Sequence, residues 1–126
     1  MVTNNIYTEK VDAFLIDDDN EVHYIWDQFA RIGNGRYVGF YSSVDFFKNV
    51  DLLDRSVPVY IDSGLKEEIP GELIAKAIKT LGFKTIYLQT TEPISEDLSQ
   101  MDWLTGVLGK DTPWDHLVGL KRAEDE

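Results

Sequence analysis

The hydrophobic residues of this 126-residue chain fall into five short runs, separated by stretches with helical spacing. Each run has the length of a single strand and is rich in Val, Ile, Leu, Phe and Tyr. The run at 57–61 is apolar at odd and even positions, as expected for a strand buried on both faces of a sheet. The five predicted strands are residues 11–16, 36–41, 57–61, 85–89 and 105–109.

Between the runs, hydrophobic residues recur at the spacing of a helix face. Asp19 or Asn20 can cap the first predicted helix, and Gly33 can end it. The predicted helix faces are Val22, Ile25, Trp26, Phe29 and Ile32 in this helix, and Leu73, Ile74, Ala77, Ile78 and Leu81 in a second helix within 71–83, for which Gly82 is a natural C′ residue. Weaker patterns predict short helices over 42–50, 94–101 and 113–120.

The alternation of strands and helices predicts an α/β fold. We expect a doubly wound, five-stranded parallel sheet with helices on both faces, joined by right-handed crossovers. Residues 1–126 are expected to form a single domain with its core at about 11–121 and with flexible ends at 1–9 and 122–126. In open sheets of this type, ligands bind beyond the carboxyl ends of the strands, so the residues that end each strand matter most.

The charge balance narrows the classes of partner. Twelve Lys and Arg residues stand against 23 Asp and Glu residues, giving a formal net charge of −11. This charge argues against nucleic acid and against an anionic membrane surface as partners. The absence of cysteine excludes disulfides and a thiol nucleophile, and His23 and His116 are expected at the surface or half-buried. Without a signal peptide pattern or a long apolar run, we expect a cytoplasmic protein.

Acidic, hydroxyl and basic residues end the successive predicted strands. Asp17, Asp18 and Asp19 follow the first strand, and Asp62 follows the third. The fourth strand ends in Thr90 and Thr91, and the fifth ends at Lys110. Since parallel strands bring these ends to one edge, carboxylates converge there and favour a hard divalent cation such as Mg²⁺. A hydroxyl and a lysine beside it can stabilise a phosphoryl group, which suggests phosphoryl transfer to an aspartate.

The order LIDDD, VYID, LQTT and GVLGK resembles a response-regulator receiver domain, the phosphoacceptor half of two-component signalling, over nearly the whole chain. The resemblance implies a flavodoxin-like strand order 2-1-3-4-5. It also implies that Asp18 binds Mg²⁺ directly and that Asp17 acts largely through water. Asp62 matches the phosphoacceptor and metal ligand, and Gly64 would offer its backbone carbonyl to the metal.

The remaining matches concern the phosphoryl group and the partners. Thr90 matches the switch hydroxyl, Thr91 the adjacent position that controls room at the site, and Lys110 the lysine that pairs with phosphoryl oxygens. The resemblance implies a sensor histidine kinase or a histidine phosphotransfer protein as the phosphodonor. We expect a stand-alone receiver that signals by protein–protein contact, and not an enzyme that turns over a separate substrate.

The sequence departs from the receiver pattern at three places. Lys110 is followed by Asp111, where receivers usually have proline in a cis peptide. The loop after Asp62 is SGLKEEIPG, which is slightly extended, and the aromatic switch position is Val107. These departures motivate an alternative, a receiver-like binding module that is never phosphorylated.

A third hypothesis is a small phosphatase of the haloacid-dehalogenase type. The spacing Asp17-x-Asp19 resembles the nucleophile motif of that family, Thr90 its second motif, and Lys110 with Asp111 and Asp115 its later ones. The chain is short for that fold, and this assignment leaves Asp62 without a role.

Overall fold

The sheet of the protein has five parallel strands in the order β2-β1-β3-β4-β5. The structure, a computed structural model, describes residues 10–93, 97 and 100–115. Both the predicted parallel sheet and the strand order implied by the resemblance are confirmed. The strands are β1 (Ala13–Ile16), β2 (Tyr37–Phe40), β3 (Val59–Asp62), β4 (Ile86–Gln89) and β5 (Gly106–Leu108).

The described residues include three α-helices and one short 3₁₀ helix, namely α1 (Asn20–Ile32), α2 (Ser43–Lys48), α3 (Gly71–Thr80) and the 3₁₀ helix Val50–Leu52. Asp19 caps α1 by accepting a hydrogen bond from the Glu21 N–H, which settles the choice between Asp19 and Asn20. Helix α3 ends at Thr80 with Leu81 as its C-cap, and Gly82 follows at C′ with a positive φ of 101°, as predicted. The predicted helices over 94–101 and 113–120 lie largely outside the described residues. None of the described helices is long and apolar enough to cross a membrane.

Alternate residues of the strands supply two hydrophobic clusters, one on each face of the sheet. On one face, Phe14 and Ile16 of β1 pack with residues of α2 and α3. On the other face, Ala13 and Leu15 pack with Trp26 of α1 and with residues that follow β5. The layers therefore match the predicted arrangement of helices on both faces.

The predicted helix stripes were wrong at their margins. Ile25 and Ile32 of α1 are 45% and 47% exposed, and Leu73 and Leu81 in and after α3 are 48% and 42% exposed. The buried faces are centred instead on Trp26 and Ala30 in α1, and on Ile74, Ala75 and Ile78 in α3.

Candidate functional site

The ends of β1, β3, β4 and β5 meet at one edge of the sheet, where hydrogen bonds extend the pairing beyond the strands. The Asp17 N–H donates to the Phe40 carbonyl at 3.0 Å, and the Thr90 N–H donates to the Leu108 carbonyl at 2.9 Å. Asp62 pairs with Gln89 in the register of β3 and β4. The backbone therefore brings the predicted strand-end residues to the same edge.

Three carboxylates cluster at this edge. Asp17, Asp18 and Asp62 can each offer one oxygen, and these oxygens all lie within 4.8 Å of one another. Asp17 is fully buried, Asp62 is 8% exposed and Asp18 is exposed. A set of oxygen donors that is open on one side suits a hard divalent cation such as Mg²⁺, which keeps several waters.

Lys110 joins two members of the cluster. Its Nζ lies 2.7 Å from Asp62 Oδ1 and 2.9 Å from Asp17 Oδ2. Burial lowers the pKa of Lys110, but the hydrogen bonds and charges of Asp62 and Asp17 outweigh that effect, so its pKa lies above 10.5. The lysine therefore stays charged and compensates the two carboxylates.

The carboxylate and the backbone carbonyl of Asp17 both have hydrogen-bond partners. Burial raises its pKa above 3.8, although Lys110 and the Asp19 N–H act in the opposite direction. Its Oδ1 accepts from the Asp19 N–H at 2.9 Å, and its backbone carbonyl accepts from His23 Nε2 at 2.7 Å. Both carboxylate oxygens thus already have a partner within the chain.

His23 was wrongly expected at the surface or half-buried. It is 5% exposed and its ring stacks on Tyr41 at a centroid distance of 4.0 Å. A Cβ at Gly39 would lie 2.4 Å from His23 Nδ1, so glycine on β2 makes room for this ring. The sequence signal was available, because position 23 lies beside Trp26 on the inner face of the helix, but the polarity of histidine concealed it. His116 lies outside the described residues.

The loop after β3 is bound to the acidic cluster and to α2. The Gly64 N–H donates to Asp62 Oδ1 at 2.9 Å, and the Lys66 N–H donates to Asp18 Oδ2 at 3.3 Å. Glu67 accepts hydrogen bonds from the Ser43 N–H at 3.1 Å and from the Ser43 hydroxyl. The extended loop is therefore tethered across the site by Glu67, a residue that the sequence did not single out.

Thr90 and Thr91 lie on the other side of Asp62. With Asp62 and Gly64 they line an open cavity of about 640 Å³, which also reaches Glu72 at the start of α3. The Thr90 Oγ1 accepts a hydrogen bond from the Glu92 N–H at 3.1 Å. The hydroxyl thus shapes its own turn, and its proton is available to a ligand in the cavity.

No proline directly follows Lys110, and other hydrogen bonds hold the segment after β5. No peptide bond in the described part of the chain is cis. The Thr112 N–H and hydroxyl both donate to Asp115 Oδ1, and a hydrogen bond with Asp115 raises the pKa of Asp111. Val107 is half-buried against the larger hydrophobic cluster. The sequence did not single out Gln89, whose side chain contacts this segment.

Comparison with solved structures identifies the fold as that of response-regulator receiver domains. A receiver domain protein from Clostridium thermocellum is 18% identical with a TM-score of 0.66, and the match covers 92% of this chain and 95% of that one. The chemotaxis response regulator CheY4 of Vibrio cholerae is 13% identical with a TM-score of 0.67, covering 91% and 98%. The N-terminal domain of a response regulator receiver protein from Methanoculleus marisnigri JR1 is 15% identical with a TM-score of 0.65, and the match covers 90% of this chain and 93% of that one. No family model and no curated protein matches the sequence.

Proposed function

We propose that this chain is a receiver domain that accepts a phosphoryl group on Asp62 from a phosphohistidine of a sensor histidine kinase or a histidine phosphotransfer protein. The observation that carries the proposal is the contact of Lys110 Nζ with Asp62 at 2.7 Å, beside two further carboxylates within 4.8 Å. The similarity to the receiver fold supports the same assignment, because the resemblance to the receiver family matches Asp62, Thr90 and Lys110 to strand ends of that fold.

Asp18 and Asp62, with the Gly64 carbonyl, would hold Mg²⁺ directly. Asp17 would act through water, because its two carboxylate oxygens already accept from Lys110 and from the Asp19 N–H. When bound, Mg²⁺ would neutralise negative charge on the transferred phosphoryl oxygens.

In the proposed transfer, a carboxylate oxygen of Asp62 attacks the phosphorus of the phosphohistidine. A P–O bond forms, the P–N bond breaks, and the imidazole leaves with the electron pair and takes a proton from water. Lys110 donates a hydrogen bond to one phosphoryl oxygen. The Thr90 hydroxyl, which borders the same cavity, donates to another phosphoryl oxygen. Because the group ends on the chain's own side chain, this is a signalling step and not turnover of a separate substrate.

The haloacid-dehalogenase alternative requires Asp17 as the nucleophile. Asp17 is fully buried and both its oxygens are hydrogen-bonded, while Asp19 is the N-cap of α1. Asp62 is the more accessible carboxylate beside the cavity, which favours it as the acceptor.

Intact mass spectrometry after incubation with Mg²⁺ and acetyl phosphate tests the proposal. We expect one phosphoryl adduct on the wild type, no adduct on Asp62→Asn or after chelation of Mg²⁺, and a normal adduct on Asp102→Asn, a control at an exposed acid. An adduct that survives in Asp62→Asn and disappears in Asp17→Asn would overturn the assignment of the acceptor.

Absence of any adduct in the folded protein, together with no binding of beryllofluoride, would favour the alternative binding module that is not phosphorylated. The specific feature behind that alternative is Val107, because an aromatic ring that could report phosphorylation is absent from this position.

A further inference from the structure

Gln89, the last residue of β4, is a polar side chain within the sheet core. It is fully buried, and it pairs with Asp62 on one side and with Leu108 on the other. Its Nε2 donates to the Gly109 carbonyl at 3.2 Å and to the Asp111 carbonyl at 2.9 Å. These are the two backbone carbonyls that flank Lys110 in the sequence.

The segment around Lys110 has few other attachments. The last backbone hydrogen bond before this segment joins the Thr90 N–H to the Leu108 carbonyl. Residues 109–111 make no backbone–backbone hydrogen bond with the described part of the chain. A Cβ at Gly109 would meet nothing within 4 Å, so the space on that side of the residue is open. The Gln89 amide is planar and has two N–H groups, so it can hold both carbonyls at a fixed separation.

The Gln89 amide makes these two hydrogen bonds at a cost in free energy. Its Oε1 is buried and accepts no hydrogen bond within the described part of the chain. An unsatisfied buried acceptor costs free energy, whereas an apolar side chain of similar length would avoid that cost. A buried polar group that carries such a cost and contacts both neighbours of a site residue points to a role in placing that residue.

We propose that Gln89 is a positioning residue for Lys110. By clamping the two carbonyls that flank it, Gln89 fixes the backbone from which the Lys110 side chain reaches Asp62 and Asp17. Asp111 follows Lys110, so no proline ring at position 111 restricts the backbone that Gln89 contacts. The inference rests on the proposed function in so far as Lys110 serves phosphoryl transfer.

Gln89→Met tests the proposal, since methionine keeps the length of the side chain and removes both donors. We expect the rate of phosphorylation by acetyl phosphate at saturating Mg²⁺ to fall about ten-fold or more, because a misplaced charged group loses much of its effect on the transition state. The midpoint of urea unfolding should stay near that of the wild type. Gln28→Met, which changes a glutamine of α1 away from the site, is the matched control and should leave the rate unchanged.

A second readout does not need phosphorylation. Titration of the Lys110 ¹³Cε NMR signal, assigned with Lys110→Met, should give a pKa nearer to 10.5 in Gln89→Met than in the wild type and an unchanged pKa in Gln28→Met. This result without any phosphoryl adduct on the wild type would sustain the clamp and overturn the proposed function alone.

An unchanged phosphorylation rate and an unchanged Lys110 titration in Gln89→Met would overturn the positioning role. If Gln89→Met does not fold, Gln89→Asn replaces it, because the shorter amide keeps its polarity but cannot reach both carbonyls. A wild-type Lys110 titration in folded Gln89→Asn would likewise overturn the proposal.

Discussion

The acidic side and the hydroxyl side of the candidate site are held very differently. On the acidic side, Asp17, Asp18 and Asp62 accept hydrogen bonds from backbone N–H groups of the chain, and a lysine bridges two of them. On the hydroxyl side, Thr90 and Thr91 border an open cavity, and among the described residues the Thr90 hydroxyl contacts the backbone of its own turn.

The difference follows from charge. Carboxylates packed together repel each other and lose hydration, so each needs a compensating donor or cation wherever it is buried. A hydroxyl is neutral and carries no such demand, so it can be left facing a cavity. The carboxylates of the acidic side are therefore compensated by donors within the chain, while the hydroxyl side faces open space. Under the proposed function, the acidic side would bind the cation and the hydroxyl side would move toward the bound phosphoryl group.

Replacement of Lys110 should change the stability of the acidic side more than any of the other substitutions. In Lys110→Met, fully buried Asp17 loses its cation, and we expect a loss of about 3 kcal/mol in the free energy of unfolding without Mg²⁺. Mg²⁺ should then stabilise the variant more than the wild type, because it supplies the missing charge. Urea denaturation with and without Mg²⁺ measures both effects. Lys84→Met is the control at an exposed lysine, and equal stability of the two variants would contradict the prediction.

Alkaline pH should remove the same interaction gradually. The pKa of Lys110 is raised in the folded protein, so its stabilising contribution is complete below 10.5 and is lost as the pH rises through the folded pKa. The stability difference between wild type and Lys110→Met should stay constant up to about pH 10 and narrow above 10.5. Burial raises the pKa of Tyr37 to about 12, which destabilises both proteins above pH 10 and cancels in the difference. A constant gap up to pH 12 in urea unfolding would exclude this account.

Loosening the tether should weaken the acidic side without dismantling it. In Glu67→Gln, an amide NH₂ replaces one of the two carboxylate oxygens that accept from the N–H and the hydroxyl of Ser43. The loop should therefore detach more often from α2. We expect faster hydrogen exchange at the Gly64 and Lys66 amides and a Mg²⁺ affinity lower by about three-fold, measured by calorimetry. Glu68→Gln, at the exposed neighbouring position, should change neither quantity. The same affinity in both variants would show that the tether does not support the site.

The smallest effect on stability is expected on the hydroxyl side. Thr90→Val removes one acceptor in a turn and should cost about 1 kcal/mol or less. Phosphoryl uptake should persist, but the chemical-shift changes that beryllofluoride causes at residues 90–92 should be lost. Thr90→Ser keeps the hydroxyl and should retain them. Full changes in Thr90→Val would show that the hydroxyl side does not respond through this group.

The strands and the residues that end them were predictable because their signals are local. A continuous apolar run such as 57–61 predicts a buried strand, and the acid that follows it must lie at the strand end. The inner faces of the helices were less predictable. Ile25 and Leu73 fit the helical spacing but are exposed, since the direction in which a helix turns depends on the side chains of the sheet beneath it.

The sequence by itself determined the order of strands along the chain, the residues that end them and the excess of negative charge. Only the tertiary structure decided which groups compensate that charge. The contacts of Gln89 with Gly109 and Asp111 span 20 and 22 residues, and that of Glu67 with Ser43 spans 24. No local period encodes such contacts, because they depend on the register of neighbouring strands and on where loops cross the sheet edge.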